Sequence, residues 1–169
     1  MKYTIGFSTC PNDTFIFEAL ITGKIDSEGI GFELVLADVQ QLNQWALEGK
    51  LDITKLSYGV VPLIGTHYKL LPSGGALGIG VGPLLITRPE LQHERPGPEA
   101  VIAIPGENTT AHLLFTLAYP GEWNKKFMIF SDIEDAVLQG KADYGVIIHE
   151  NRFTYAEKGL ALVKDLGTH

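Results

Sequence analysis

The chain has a single cysteine, Cys10, among its 169 residues, so no disulfide can close within it, and no Cys/His set has the spacing of a structural zinc site. A reducing compartment is expected. Basic charge is also short. Thirteen Lys and Arg stand against 20 Asp and Glu, a formal net charge of −7, and no basic cluster is dense enough to neutralise a phosphate backbone. No nucleic acid is expected as a partner. Long apolar runs are missing too. Met1 to Ser8 carries one positive charge and a short alternating run instead of the apolar segment of a signal peptide. The most apolar stretch, Gly74 to Thr87, is broken by five glycines and a proline and is too short to span a bilayer. The expectation is a cytoplasmic protein with no membrane segment. What remains, 45% hydrophobic and 20% charged residues, is an ordinary globular mixture, enough for one domain or two small lobes.

Tyr3 to Phe7 reads as a strand, followed by turn and N-cap chemistry at Pro11-Asn12-Asp13 and a helical run from Thr14 to Leu20. Gly31 to Leu36 repeats the strand, and Asp38 is placed to cap a helix through Leu42, Trp45, Ala46 and Leu47 that ends at Gly49. A third strand, Leu51 to Lys55, leads into a short helical or turn segment ending near Gly65. This order points to a parallel α/β sheet. Tyr68 to Leu71 and Ala76 to Thr87 read as paired strands, the second with Gly78, Gly80 and Gly82 on one face. Arg88 to Glu99, with three prolines, has the composition of a hinge. Beyond it come a strand at Val101 to Ile104, a helix over Thr109 to Leu117 capped by Asn108, a strand at Phe127 to Phe130 and a short helix at Asp132 to Leu138. A strand at Tyr144 to Ile148, a turn or helix at Tyr155 to Gly159 and a last strand at Leu160 to Asp165 complete the pattern. The expected architecture is two α/β lobes around a ligand cleft: residues 1–88 as the first lobe, 89–99 as the linker and 100–169 as the second.

Ligands of open α/β sheets bind beyond the carboxyl ends of strands. Four polar clusters fall there: Ser8 to Asp13, Thr54-Lys55-Leu56-Ser57, Pro105 to Thr110, and His149-Glu150. Helix starts at Asn12 and Thr109 would offer free N–H groups to an anion, so a small carboxylate or phosphate ligand is expected. Each residue has a plainer reading. Thr109 and Thr110 are ordinary first-turn helix residues, Ser57 an ordinary loop hydroxyl, and Lys55 a surface charge or an ion-pair partner. His149 ends a wholly apolar strand, where an imidazole is poised for proton transfer or simply hydrogen-bonded at a strand end. Cys10, near a helix start, is readable as a nucleophile or as a small buried hydrophobe. The Gly74 to Gly82 stretch lacks the Lys-Ser/Thr and helix of a phosphate loop, and no HExxH cluster occurs, so neither a nucleotide nor a metal is expected.

Four strings carry a resemblance: Ser8-Thr9-Cys10-Pro11-Asn12-Asp13-Thr14-Phe15-Ile16-Phe17, Gly49 to Ser57, Leu70-Leu71-Pro72-Ser73-Gly74, and Ile147-Ile148-His149-Glu150-Asn151-Arg152-Phe153-Thr154-Tyr155. From the first residues to about Leu166 the chain resembles the 1,4-dihydroxy-6-naphthoate synthases of the futalosine route to menaquinone. The first and last strings separate it from the related chorismate dehydratases. The resemblance implies the two-lobed fold of type 2 periplasmic binding proteins and a cofactor-independent lyase acting on cyclic dehypoxanthinylfutalosine. It makes the residue at His149 the proton acceptor and those at Lys55, Leu56, Ser57, Thr109 and Thr110 substrate contacts. Chains of that family continue well past Gly167, so the resemblance also implies a first lobe completed by further chain. As partners the reading takes a small carboxylate substrate and admits a homodimer. A solute-binding protein of the same fold is the alternative from another class.

Overall fold

Residues 2–7 are rich in β-branched and aromatic side chains and form strand β1 (Lys2–Phe7), the centre of a three-stranded sheet in the computed structural model, which describes residues 1–65 and 67–168. His169, at the end of the expected second lobe, lies outside the described residues. β2 (Gly31–Leu36) and β3 (Ile53–Thr54) flank β1, both parallel to it. Between them run α1 (Pro11–Ile21) and α2 (Val39–Leu47), the latter capped as its sequence predicts, with Asp38 accepting from the Gln40 N–H at 2.8 Å. A 3-10 turn at Tyr58–Leu63 follows, and Val60 and Ile64 join Ala46 in a small apolar core.

The second sheet has five strands in the order β6-β5-β7-β4-β8, from β4 (Leu84–Thr87), β5 (Val101–Ile104), β6 (Asn124–Phe127), β7 (Tyr144–Ile147) and β8 (Ala161–Asp165). β5 pairs in parallel with β6 and β7, whereas β4 runs antiparallel to β7 and β8. Successive side chains of these strands enter two different cores with the strand period. Leu84, Ile86, Ala103 and Ile147 enter one core, under α4 (Ile133–Leu138). Leu85, Ile102, Ile104, Tyr144 and Val146 enter the other, with Phe115 of α3 (Thr110–Ala118). Both faces of these strands are covered, so they are written almost wholly in apolar residues.

The chain divides into two compact units, Met1–Leu77 and Gly78–His169. The boundary falls earlier than expected. Residues 89–99 connect β4 to β5, two strands of one sheet, so the hinge assigned to them is not kept. The expected strand pair at Tyr68 to Leu71 and Ala76 to Thr87 shrinks to β4 alone. Gly80 has φ +68°, outside any strand conformation, so the three glycines do not share a bare face. Thr109 is the N-cap of α3 in place of Asn108, and Cys10 precedes α1 without a side-chain cap bond, with Pro11 at the first turn. β6 lies at Asn124–Phe127, ahead of the expected Phe127 to Phe130. Its charged stretch Asn124-Lys125-Lys126 carries no strand alternation and is fixed by register against Val101–Ile104.

Gly145 lies at the centre of this packing. A Cβ there would stand 2.6 Å from Ile133 Cγ2 and 2.9 Å from Val137 Cγ2, closer than real contacts allow. Gly145→Ala is expected to cost about 1–3 kcal/mol through overpacking of β7 against α4. Denaturant unfolding with an unchanged slope and a lower midpoint is the expected result, and a wild-type midpoint would show that the helix yields freely.

Candidate functional site

In the first unit, two of the sequence-marked clusters meet. Asp13, in the first turn of α1, is buried, and its Oδ2 accepts from the Ser8 N–H at 3.2 Å and the Ser8 hydroxyl at 2.7 Å. Lys55 Nζ donates to Asp13 Oδ1 at 2.7 Å. Lys55 is therefore an ion-pair partner, one of the two plain readings its sequence position allowed. The carboxylate sits where the α1 dipole favours it, so this helix start already carries an anion of its own. Asn12 lies beside it, exposed.

Ser57 follows β3 and is gripped by Asn43 of α2, a fully buried residue that sequence reading missed. The Ser57 N–H donates to Asn43 Oδ1 at 2.9 Å, and Asn43 Nδ2 donates to Ser57 Oγ at 3.0 Å. The first bond fixes the amide's orientation, and the second occupies the hydroxyl as an acceptor and leaves its proton to be donated. A polar residue between Leu42 and Ala46 on an apolar helix face was the available signal. Lys55 and Leu56, with Ile16, Phe17, Phe32 and Tyr58, line a cavity of about 810 Å³ within this unit; Asn12 and Ser57 lie outside its lining.

In the second unit the polar turns line up along one edge of the sheet. β6, β5 and β7 are parallel neighbours, so the segments after them emerge at the same, carboxyl end. These are Phe130 to Asp132, Pro105 to Thr110, and His149 with Glu150. Thr109 is buried and its hydroxyl is engaged, donating to the Gly106 carbonyl at 2.9 Å and accepting from the His112 N–H at 3.2 Å. Thr110, half-buried, opens α3. His112 contacts the Glu107 carbonyl through Nδ1 at 2.7 Å, and Lys125 Nζ lies 2.9 Å from its Nε2. Only the tautomer with its proton on Nδ1 suits both neighbours, so His112 braces the turn before α3.

His149 is exposed and has φ +56°, left-handed backbone that a residue with a Cβ seldom adopts. Its ring meets Phe130 edge-on at 6.2 Å between centroids. The turn it opens is held from two sides. Asn151 Nδ2 donates to Glu134 Oε2 at 2.5 Å. The Arg152 guanidinium bonds the carbonyls of Gly82 and Gly80 and pairs with Asp165 Oδ2 at 3.0 Å. Burial acts to raise the Asp165 carboxyl, but the hydrogen bonds from Arg152 and the Gly167 N–H, with the guanidinium charge, outweigh it and leave the group below the usual carboxylate range. Cys10 and His149 belong to different units. Among the described residues no group of three or more His, Cys, Asp or Glu is arranged to hold a metal, and no helix is long and apolar enough to cross a membrane.

Two α/β units with polar turns at strand ends define the periplasmic-binding-protein-like class. The fold is shared with the ligand-binding component of an ABC-type import system from Staphylococcus aureus, at TM-score 0.70 and 14% identity over 98% of this chain and 61% of that one. A crystal structure of a protein from Archaeoglobus fulgidus is nearer, at TM-score 0.88 and 33% identity, covering 98% of this chain and 60% of the other. The chain belongs to the menaquinone biosynthesis family, whose model matches residues 3–169. Its relatives include the 1,4-dihydroxy-6-naphthoate synthases of Thermus thermophilus, 48% identical over 96% of this chain, and of Streptomyces coelicolor, 42% identical over 98%. The chain spans 58% and 59% of the length of those two relatives.

The depressed Asp165 gives a pH prediction with a definite sign. A carboxyl whose folded pKa lies below its unfolded value, about 3.9 for Asp, stabilises the fold above that value and loses the contribution as pH falls through the folded one. Asp165→Asn should therefore be less stable than wild type near neutral pH and differ less from it in strong acid. Equal midpoint differences at both pH values would show that Asp165 does not contribute in this way.

Proposed function

We propose that the protein carrying this chain converts cyclic dehypoxanthinylfutalosine to 1,4-dihydroxy-6-naphthoate in menaquinone biosynthesis, a lyase reaction run in the cytoplasm, with His149 as the general base. One observation carries the assignment of the base: an exposed imidazole held in left-handed backbone at the carboxyl end of β7, beside the turns that follow β5 and β6. Strained backbone persists where surrounding structure over-determines it, and it concentrates at functional sites. The names of the relatives supply the reaction.

The other residues take distinct parts in this reading. The Ser57 hydroxyl, held as an acceptor by Asn43, donates its proton to a substrate oxygen. Lys55, beside Asp13, contributes a positive charge whose field is partly offset, and Leu56 an apolar contact. Thr109 acts through its backbone, since its hydroxyl is engaged by the helix cap, while Thr110 and the first turn of α3 receive the substrate carboxylate. Asn12 adds an exposed polar contact. Orientation by these groups supplies much of the rate, and His149 removes the proton that starts bond cleavage. No cofactor is needed for proton abstraction of this kind, and the partner is a small carboxylate substrate rather than nucleic acid or membrane. The likeness to an import-system component favours a second reading, a binding protein that returns its ligand unchanged.

Turnover of cyclic dehypoxanthinylfutalosine, followed by appearance of 1,4-dihydroxy-6-naphthoate, separates the two. Product is expected from the wild type, and His149→Ala should lose roughly 10²–10⁴-fold in kcat while substrate binding stays within a few-fold. Near-normal turnover in His149→Ala would remove the base. Substrate bound and recovered intact by the wild type would favour the binding protein, and turnover of chorismate instead would make the protein a dehydratase.

A further inference from the structure

Glu134, the second residue of α4, is 1% exposed, and its Oε1 has no hydrogen-bond partner among the described residues. A buried carboxylate with one oxygen unsatisfied is costly. The helix dipole does not account for it, because Asp135 in the same first turn meets that preference while exposed to water. What Glu134 does hold is the turn after β7. Its Oε2 accepts from Asn151 Nδ2 at 2.5 Å and from Lys158 Nζ at 2.6 Å. Asn151 is two residues beyond His149, and the Arg152 N–H closes the turn on the His149 carbonyl at 3.2 Å. Left-handed backbone at a histidine relaxes unless its neighbours are pinned, and Asn151 is pinned to the buried Glu134 carboxylate.

We propose that Glu134 is a positioning residue for His149: acting through Asn151, it keeps the turn closed and the imidazole in its left-handed backbone setting at the sheet edge. The functional half of this rests on His149 being the base. Arg152, anchored to Gly80, Gly82 and Asp165, holds the far side of the same turn, so loss of the Glu134 contact frees one end only.

The test compares Asn151→Ala, Glu134→Ala and Glu134→Gln with wild type in the protein carrying this chain, by amide hydrogen exchange and by steady-state turnover of cyclic dehypoxanthinylfutalosine. In the two alanine variants, exchange at the Arg152 and Phe153 amides is expected to rise about tenfold or more, while Ile102 and Phe115 exchange as in wild type. Their kcat should fall about tenfold or more with KM within about threefold, since a misplaced base costs rate more than binding. Glu134→Gln keeps a side-chain carbonyl to accept from Asn151 and should recover most of both. If Glu134→Ala fails to fold, Asn151→Ala decides, because it removes the contact and leaves the buried group with Lys158. Unchanged exchange at Arg152 and Phe153 in Asn151→Ala overturns the proposal, as does faster exchange with wild-type kcat. A wild type without turnover, whose exchange nonetheless responds as described, sinks the base reading and leaves the clamp standing.

Discussion

The parallel pairing of β5 with β7 is the constraint on which the second unit depends. Ile102 lies opposite Tyr144 and Ala103 opposite Gly145, and a shift of one residue would turn every buried side chain of either strand to the wrong core. Gly145 tightens this further, because only a residue without Cβ lets Ile133 and Val137 of α4 reach the sheet. With the register fixed, the segments after Ile104 and Ile147 must leave the sheet side by side. The nearness of the His149 turn to the Pro105 to Thr110 turn is thus a consequence of core packing.

Each polar turn is then held by neighbouring side chains. Asn43 locks the Ser57 backbone and hydroxyl, Asp13 ties Ser8 to Lys55, His112 braces the turn before α3, and Glu134 and Arg152 hold the two sides of the His149 turn. Candidate residues are thus supported by partners of which Asp13, Asn43 and Glu134 are buried, the arrangement a site needs if its geometry is to persist between encounters with ligand. Asp13, Asn43 and Glu134 are all buried and all polar, which marks where the fold accepts a cost in return for geometry.

Strand and helix content was legible wherever the chain had a periodic apolar signal. β1, β2, β5, β7 and β8 lie where the alternating or continuous apolar runs put them, and Asp38 caps α2 as expected. Reading failed where glycine mimicked a strand. The Gly74 to Pro83 segment is apolar enough for one, but Gly80 takes a left-handed conformation and only Leu84–Thr87 pairs. It failed again at β6, where lysines hid an edge strand, and at residues 88–99, where prolines suggested a hinge in what is a connection within one sheet.

The sequence by itself determined the α/β class, the family, and the four polar clusters that follow strands, because these are carried by local periodicity and by contiguous strings of residues. Tertiary structure alone decided which residues support them. Asn43 and Ser57 are 14 positions apart, Glu134 and Asn151 17, and Lys55 and Asp13 42. No local pattern links residues at such separations; they meet because strand register and helix packing bring their elements together. The left-handed backbone of His149 belongs to the same category, since it depends on contacts made on either side of its turn by residues distant in sequence.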